Sequence, residues 1–426
     1  MLLWGKIMST FYIEDLLELE STKSFDYFWH EANCDCKSPG YGLIRDRAPS
    51  NPRVCSIAAV GFGLTAIVIG TKRGWVSYDE AYERVLGTMS SLINNVEHIN
   101  GFFYHFLDIL TGKRIWQCEV SIIDTAILLC GAITAGEYFG GEIMVKMQTL
   151  YERMNWEWFR DKKRNMFYLG YSPEEGFFGS WDSYAEQFMA YFLAFASPTY
   201  PVNPDMFYDF SRDSGKYNQH DGIICSFTGA LFTYQFSHAW YDLRNKTDKY
   251  GVDWWENSVI ATKAARQYCI DNASKFKTFG TDSWGLTACD GPFGYSGAYG
   301  APPRMTNSTD TGNDGTVSPC ASIGSIVFTP KESMAVMESF YRNYPMLWGK
   351  YGFKDAYNLD VTPTWFASDF IGIDKGISLL MIDNYRTGFI WDLFMKNKFV
   401  IEGLKKAGFK ETGSVLKELP IYKAAI

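Results

Sequence analysis

Two kinds of apolar pattern alternate along the chain. In residues 77–97, 142–159, 253–273 and 331–343, hydrophobic side chains recur every three or four positions with charges between them. That is the spacing of a helix with one face in solvent. In residues 56–70, 121–136, 186–196, 222–240 and 376–382 the charges nearly vanish, and small residues mix with large aliphatics and aromatics. Helices apolar all round are buried ones. Period-two alternation is rare and short, as at 165–169. An exposed helix followed by a buried one, repeated, predicts helical hairpins with one layer enclosing the other. Roughly twelve helices fit in this length. The expected fold is therefore all-α, an (α/α)6 toroid in which inner helices form a barrel and long loops at one end form a binding cup. A solenoid would carry a fixed-period repeat, and none is found. No linker-like or low-complexity stretch divides residues 1–426, so one domain is expected, with 1–24 as an N-terminal helical extension.

Helix entrances carry the first chemical signal. Ser77-x-x-Glu80 and Thr329-x-x-Glu332 match the capping box, in which hydroxyl and carboxylate satisfy backbone N–H groups reciprocally. Both open charged helices, where a structural role suffices. Ser183-x-x-Glu186 matches the same box, and Ser121-x-x-Asp124 matches it with Asp in place of Glu. These two differ from the others because the helix that follows is apolar and a tryptophan precedes the acids: Trp181 before Glu186, and Trp116 before Glu119 and Asp124. A carboxyl with a hydrophobic back wall has a raised pKa, suited to a general acid. From the residues alone, Glu186 is either a cap or a catalyst.

Composition narrows the classes. The net charge is −8 and no Lys/Arg stripe is present, which disfavours nucleic acid as a partner. No run reads as a membrane span, so no membrane partner is expected. Fourteen Trp and 27 Tyr make the chain rich in aromatics, many beside Gly and Asp in loops, where flat rings suit sugar faces. The nine cysteines are scattered, and Cys34-x-Cys36 lacks a second pair for zinc. They read as reduced thiols; with no signal-peptide pattern at the start, a cytoplasmic location is expected. The loop 281–319, rich in Gly, Asp and aromatics, is expected as a wall of the cup.

Asp290 and Asp314 stand in Asp-Gly contexts, as turn formers or acceptors for sugar hydroxyls, and Asp374 opens the apolar segment 376–382. Of five histidines, His238 is the one set in an apolar helix among aromatics, as a core residue or a hydroxyl ligand. No HExxH, His/Cys cluster, acidic calcium loop, GxSxG elbow or P-loop is found, so no metal or cofactor is expected. What remains is carboxylate chemistry in an aromatic cup, most commonly glycoside hydrolysis by two acids.

Gly-Phe-Gly-Leu-Thr-Ala (61–66), Ser-Ile-Ile-Asp-Thr-Ala (121–126), Gln-Phe-Ser-His-Ala-Trp (235–240), Trp-Gly-Leu-Thr-Ala-Cys-Asp-Gly-Pro (284–292), Asn-Asp-Gly-Thr-Val-Ser-Pro (313–319) and Asn-Tyr-Arg-Thr-Gly (384–388) resemble the bacterial glycoamylase-like family, β-1,2-glucanase type. The resemblance runs from about residue 25 to 409. It implies an (α/α)6 fold and cleavage of β-1,2-linked glucan or its oligosaccharides without a cofactor, with inversion. It implies Glu186 as general acid and Asp374 as base, with Glu119 and Asp124 lining the same cup. On that reading Trp116, Trp181, Tyr184, Trp284, Tyr299 and Trp365 stack on glucose rings. Asp290, His238, Asp314, Tyr385 and Arg386 complete the expected binding set. Two departures stand out: Ala185 replaces the family's usual Asn, and Asp383 its usual Glu, and either is expected to alter subsite contacts. The alternatives are a transglycosylase on the same glucans and a glucan-binding protein without catalysis.

Overall fold

The computed structural model describes residues 2–305 and 312–412. Among them the α-helices are α1 (Leu2–His30), α2 (Ile57–Arg73), α3 (Tyr78–Asn94), α4 (Ile122–Phe139), α5 (Gly141–Glu152), α6 (Phe188–Ala196), α7 (Phe236–Trp240), α8 (Trp254–Asp271), α9 (Pro319–Ile323), α10 (Pro330–Asn343), α11 (Gly372–Arg386), α12 (Phe389–Phe394) and α13 (Lys398–Lys406). The apolar ones form an inner ring. α2 packs on α4, α4 on α6, α9 on α11, and α11 back on α2. Between α6 and α9 the ring closes through α7. Ser237 Oγ donates to Glu186 O, and Gln235 Nε2 donates to Ala321 O and Ser325 Oγ. The amphipathic helices make the outer layer, with α1 on α11 and α2, α3 and α5 beside α2 and α4, α10 on α9, and α13 on α6. This is the expected (α/α)6 toroid.

Composition explains which helix goes where. α4 is apolar and long enough to cross a bilayer by length and composition alone, but it is a core helix, 83% buried. Its approach to α2 depends on glycine. A Cβ at Gly131 would fall on the Gly61 carbonyl, and one at Gly61 on the Ile127 carbonyl. The barrel is filled rather than hollow, with Phe62 packed on Phe236 and Trp240, whose indole donates to Thr65. Short strands stand directly before α2, α4 and α11, at the N-terminal end of these inner helices.

Short strands organise that end. Val54–Ser56, just before α2, pairs with Phe106–Asp108, and Arg47–Ala48 pairs with Phe370–Ile371, just before α11. A bridge from Tyr104 to Val120 ties in the start of α4. The inner helices therefore present their N-terminal turns to one rim.

Several expectations about elements are corrected. Segment 222–240 is not a helix: the hairpin strand His220–Ile224 is followed by a 3₁₀ turn at Leu231–Tyr234, and only α7 is α-helical. Gly222 and Gly229 lie at φ +73° and +72°, which breaks any helix there. The helix expected over 142–159 ends at Glu152, and that at 376–382 extends over the whole of α11. The loop 281–319 contains a hairpin, Cys289–Gly291 with Gly294–Ser296; its residues 306–311 lie outside the described residues. Residue 24, the expected limit of an N-terminal extension, falls inside α1, whose Leu16, Leu17, Glu20, Ser24 and Phe25 are buried.

Candidate active site

Of the four capping boxes one forms in full and one by half. Ser77 and Glu80 cap α3 reciprocally. Ser121 accepts from Asp124 N–H, and its hydroxyl donates to the Asp124 carboxylate. Thr329 makes no side-chain cap, because its hydroxyl bonds back to Ser325 O. At Glu186 the box does not form either. The helix begins two residues later, at Phe188, with no side-chain cap, and Gln187 Nε2 donates to Ser183 O instead. The Glu186 carboxyl is therefore free of capping while only 8% exposed. Burial pushes it up to about 7, its own backbone N–H opposes the shift and the neighbouring Asp124 carboxylate adds to it.

Asp124 and Glu119, expected in the same cup, are joined by His105, which the sequence does not single out. His105 sits between two acids, with Nδ1 2.8 Å from Glu119 Oε1 and Nε2 3.7 Å from Asp124 Oδ1. Burial works against its charge, but Asp124, Glu119 and Asp46 outweigh it, and the imidazole is pushed up to about 9. His105 is a cation at neutral pH. It holds Glu119 below the usual carboxylate range against the cost of burial. The one hint in sequence is a polar residue inside the aromatic run Phe102–Phe103–Tyr104–His105–Phe106. The strand pairing that brings it to Glu119 is non-local.

Around the rim, Arg47 Nη1 binds both oxygens of Asp290, at 3.0 and 3.1 Å, and its Nε lies 3.3 Å from Asp46 Oδ2. Asp374 occupies the first turn of α11, buried, and touches Asp355 and Cys320. Asp355 accepts the Asp290 N–H at 2.6 Å. Burial and the Asp374 charge push Asp355 well above the ordinary range, while Asp374 is raised by burial against hydrogen bonds from Asp355 and Cys320. Asp124 in the first turn of α4, Glu186 just ahead of α6 and Asp374 in the first turn of α11 are thus linked through charged neighbours, Glu186 with Asp124, Asp124 with His105 and Asp46, and Asp46 through Arg47 with Asp290 and Asp374. Among the described residues no group of His, Cys, Asp and Glu has the arrangement of a metal site.

Exposed aromatics surround these acids. Trp116, 61% exposed, packs its ring on Phe106, which stacks on His105 at 3.9 Å. Phe178 closes on Gly170 beside the Glu119 side chain. Tyr295 lies under the Arg47 guanidinium, and Phe293 at the tip of the same hairpin is 89% exposed. Phe227 is exposed beside Ser226, which bridges to Tyr184, two residues before Glu186. Phe178, Phe227, Phe293 and Tyr295 were missed because an exposed aromatic in a glycine-rich hairpin looks like a core one until the turn is placed.

Several expected binding residues lie elsewhere. Tyr184 is buried against Trp254, Tyr234 and Phe188. Trp284 is fully buried. His238 is a core residue between Trp255 and Phe328, with Nε2 3.0 Å from Ser258 Oγ, and burial pushes it down to about 3. Asp314 spends its oxygens on Tyr299 OH, Thr316 N–H and Asn358 Nδ2, pinning the loop, and Tyr299 is buried by the same contact. Tyr385 and Arg386 sit in the last turn of α11, about 18 Å along the helix from Asp374. Arg386 pairs there with Glu18 and Glu14. Asp383, expected to alter subsite contacts, is buried near that same end and accepts from Thr387. Trp181 and Trp365 are half-buried, and Ala185 is partly exposed beside Glu186.

Several solved and curated proteins are similar to this chain over nearly its whole length. A solved endo-β-1,2-glucanase from Chitinophaga pinensis, in complex with sophorotriose and glucose, is 28% identical with a TM-score of 0.83, over 93% of this chain and 98% of that one. A β-1,2-glucanase from Parabacteroides distasonis is 28% identical with a TM-score of 0.82, over 93% of this chain and 60% of that one. An exo β-1,2-glucooligosaccharide sophorohydrolase (non-reducing end) of Parabacteroides distasonis is 30% identical over 92% of this chain, which spans 58% of that protein's length. The family model described as "Putative glucoamylase" matches residues 179–398. That stretch is just over half of the chain, begins at the loop carrying Glu186 and ends beyond the Asp374 turn, and the chain belongs to the glycoamylase family.

Proposed function

We propose that this protein hydrolyses β-1,2-linked glucan or its oligosaccharides, with Glu186 as general acid and Asp374 as base. The observation that carries the reading is the uncapped, buried carboxyl of Glu186 at the head of α6, pushed up to about 7 and facing Asp124. An acid of that pKa keeps a proton for the glycosidic oxygen near neutral pH. Asp374, at the head of α11, takes the proton of the attacking water, directly or through a substrate hydroxyl. Water arriving opposite the leaving group inverts the anomeric centre. Trp116, Phe178, Phe293 and Tyr295 offer ring faces to glucose units, and Arg47, His105 and Glu119 offer hydroxyl partners. The linkage rests on the activities of the β-1,2-glucan-cleaving relatives.

Linear β-1,2-glucan incubated with the protein should release reducing ends that NMR first detects as the α-anomer. β-Anomer would require a retaining mechanism, and no release would remove this substrate. Glu186→Gln should lower kcat by about 10³-fold or more while oligosaccharide binding persists. Near-full activity in that variant would rule Glu186 out as the acid.

A further inference from the structure

Asp355 is left outside the two roles just assigned, and only one of its two carboxyl oxygens has a donor. Oδ2 accepts the Asp290 N–H at 2.6 Å, and its backbone carbonyl accepts from Ser318 Oγ. Oδ1 is fully buried and no protein N–H or O–H donor is directed at it. What the Asp355 side chain does touch is the Asp374 carboxyl. Two carboxylate oxygens in contact without solvent repel, and a shared proton converts that repulsion into a hydrogen bond. Since Oδ2 is occupied as an acceptor, Oδ1 is the oxygen left to carry that proton.

We propose that Asp355 is a positioning residue for the reaction: it stays a carboxylic acid, and its O–H, donated to Asp374, keeps the base ionised and aimed into the cup. The inference rests on the reading of Asp374 as base. A small cavity behind the pair is lined by Asp374, Asp355, Cys320, Lys375, Glu20 and Ser378. The groups that face the pair fit the assignment. Lys375 is committed to Glu20 and to Phe353 O, and Arg47 to Asp290 and Asp46. Lys354, which also lines the cavity, donates to Met346 O, and none of these three cations is free to replace the proton. Cys320 from α9 is a thiol that bonds Asp374 from a second side, while Cys289 and Tyr295 of the hairpin are neutral at working pH because burial and the nearby acids raise them. Asp290, held by Arg47, adds negative charge that further favours a proton on the pair.

Asparagine tests this closely. In Asp355→Asn the amide oxygen can accept from Asp290 N–H while the amide NH₂ donates to Asp374, reproducing the protonated acid. Asp355→Ala removes the donor. kcat/KM against pH on linear β-1,2-glucan should show Asp355→Asn within about threefold of wild type, with an unmoved acid limb. Asp355→Ala should move that limb up by about one pH unit, a loss of about tenfold at pH 5, because a buried Asp374 without its donor protonates more readily. A purely structural role would lower both variants without moving either limb, and that result would overturn the proposal. A second measurement needs no substrate and so stands apart from the glucanase reading. Infrared difference spectra at pH 8, in a Glu186→Gln background, should lose one protonated-carboxyl C=O band on Asp355→Asn. Loss of ionised-carboxylate bands instead would overturn the assignment, including where Asp355→Ala does not fold.

Discussion

Holding the Glu186 carboxyl at about 7 burdens the fold at neutral pH. Its ordinary value is 4.5, so between 4.5 and 7 the native state keeps a proton that the unfolded state has already lost. Stability at this site therefore falls as pH rises through that window, and the deficit is complete above 7. The 2.5-unit gap corresponds to about 3 kcal/mol at most. Glu186→Gln removes the ionisation. It should stabilise the protein by up to about 3 kcal/mol at pH 8 and by little at pH 4.5, read from urea unfolding at the two values. Equal gains at both pH values would show that the buried charge is not the cause. The same residue shows what one position can reveal in sequence. A serine three residues ahead of a carboxylate looks identical at Glu80 and Glu186, and only the apolar helix that follows separates cap from candidate acid. His105 has no such marker, because its partners Glu119 and Asp124 come from the next strand and helix.

Helices were legible where one environment surrounds the whole element. α3 and α10 show a polar face throughout, α2 and α4 are apolar throughout, and their bounds fall within a few residues of expectation. Segment 222–240 failed because apolar content alone does not separate a buried helix from a buried strand and turn. There the chain bends at Gly229, where any side chain would strike the Ala301 carbonyl. Glycine decides packing between elements as well. Gly61 and Gly131 let α2 and α4 approach until the backbone of one meets the Cα of the other. Gly131→Ala improves intrinsic helix propensity by about 1 kcal/mol. It nevertheless drives a methyl into a carbonyl that cannot rotate away, and overpacking costs about 1–3 kcal/mol or more. The expected outcome is net destabilisation and a lowered thermal midpoint, with α2 and α4 pushed apart. An unchanged or raised midpoint would mean the two helices have room to separate.

At the scale of the molecule, the toroid was readable because helix count and alternation are global properties, but the way the ring closes was not. Residues 1–24 are expected as an N-terminal extension, yet α1 is the outer partner of α11, and the junction is a buried ion pair. Glu20 on α1 is fully buried, accepts from Lys375 of α11, Phe353 N–H and Ser24, and spans 355 residues of chain to do so. Lys375 is 3% exposed and directly follows Asp374, so the joint that closes the barrel also holds the turn that carries the candidate base. Nothing local marks Glu20: it is one of several acids in a helix of mixed composition. Removing one partner strands a buried charge at a cost of about 3–5 kcal/mol, whereas replacing both with apolar groups of similar volume is often close to neutral. Glu20→Ala should therefore cost about that much by urea unfolding, and Glu20→Leu combined with Lys375→Met should recover most of it. A double variant as weak as the single one would mean that the hydrogen bonds to Phe353 and Ser24, rather than the ion pair, fasten α1 to the barrel.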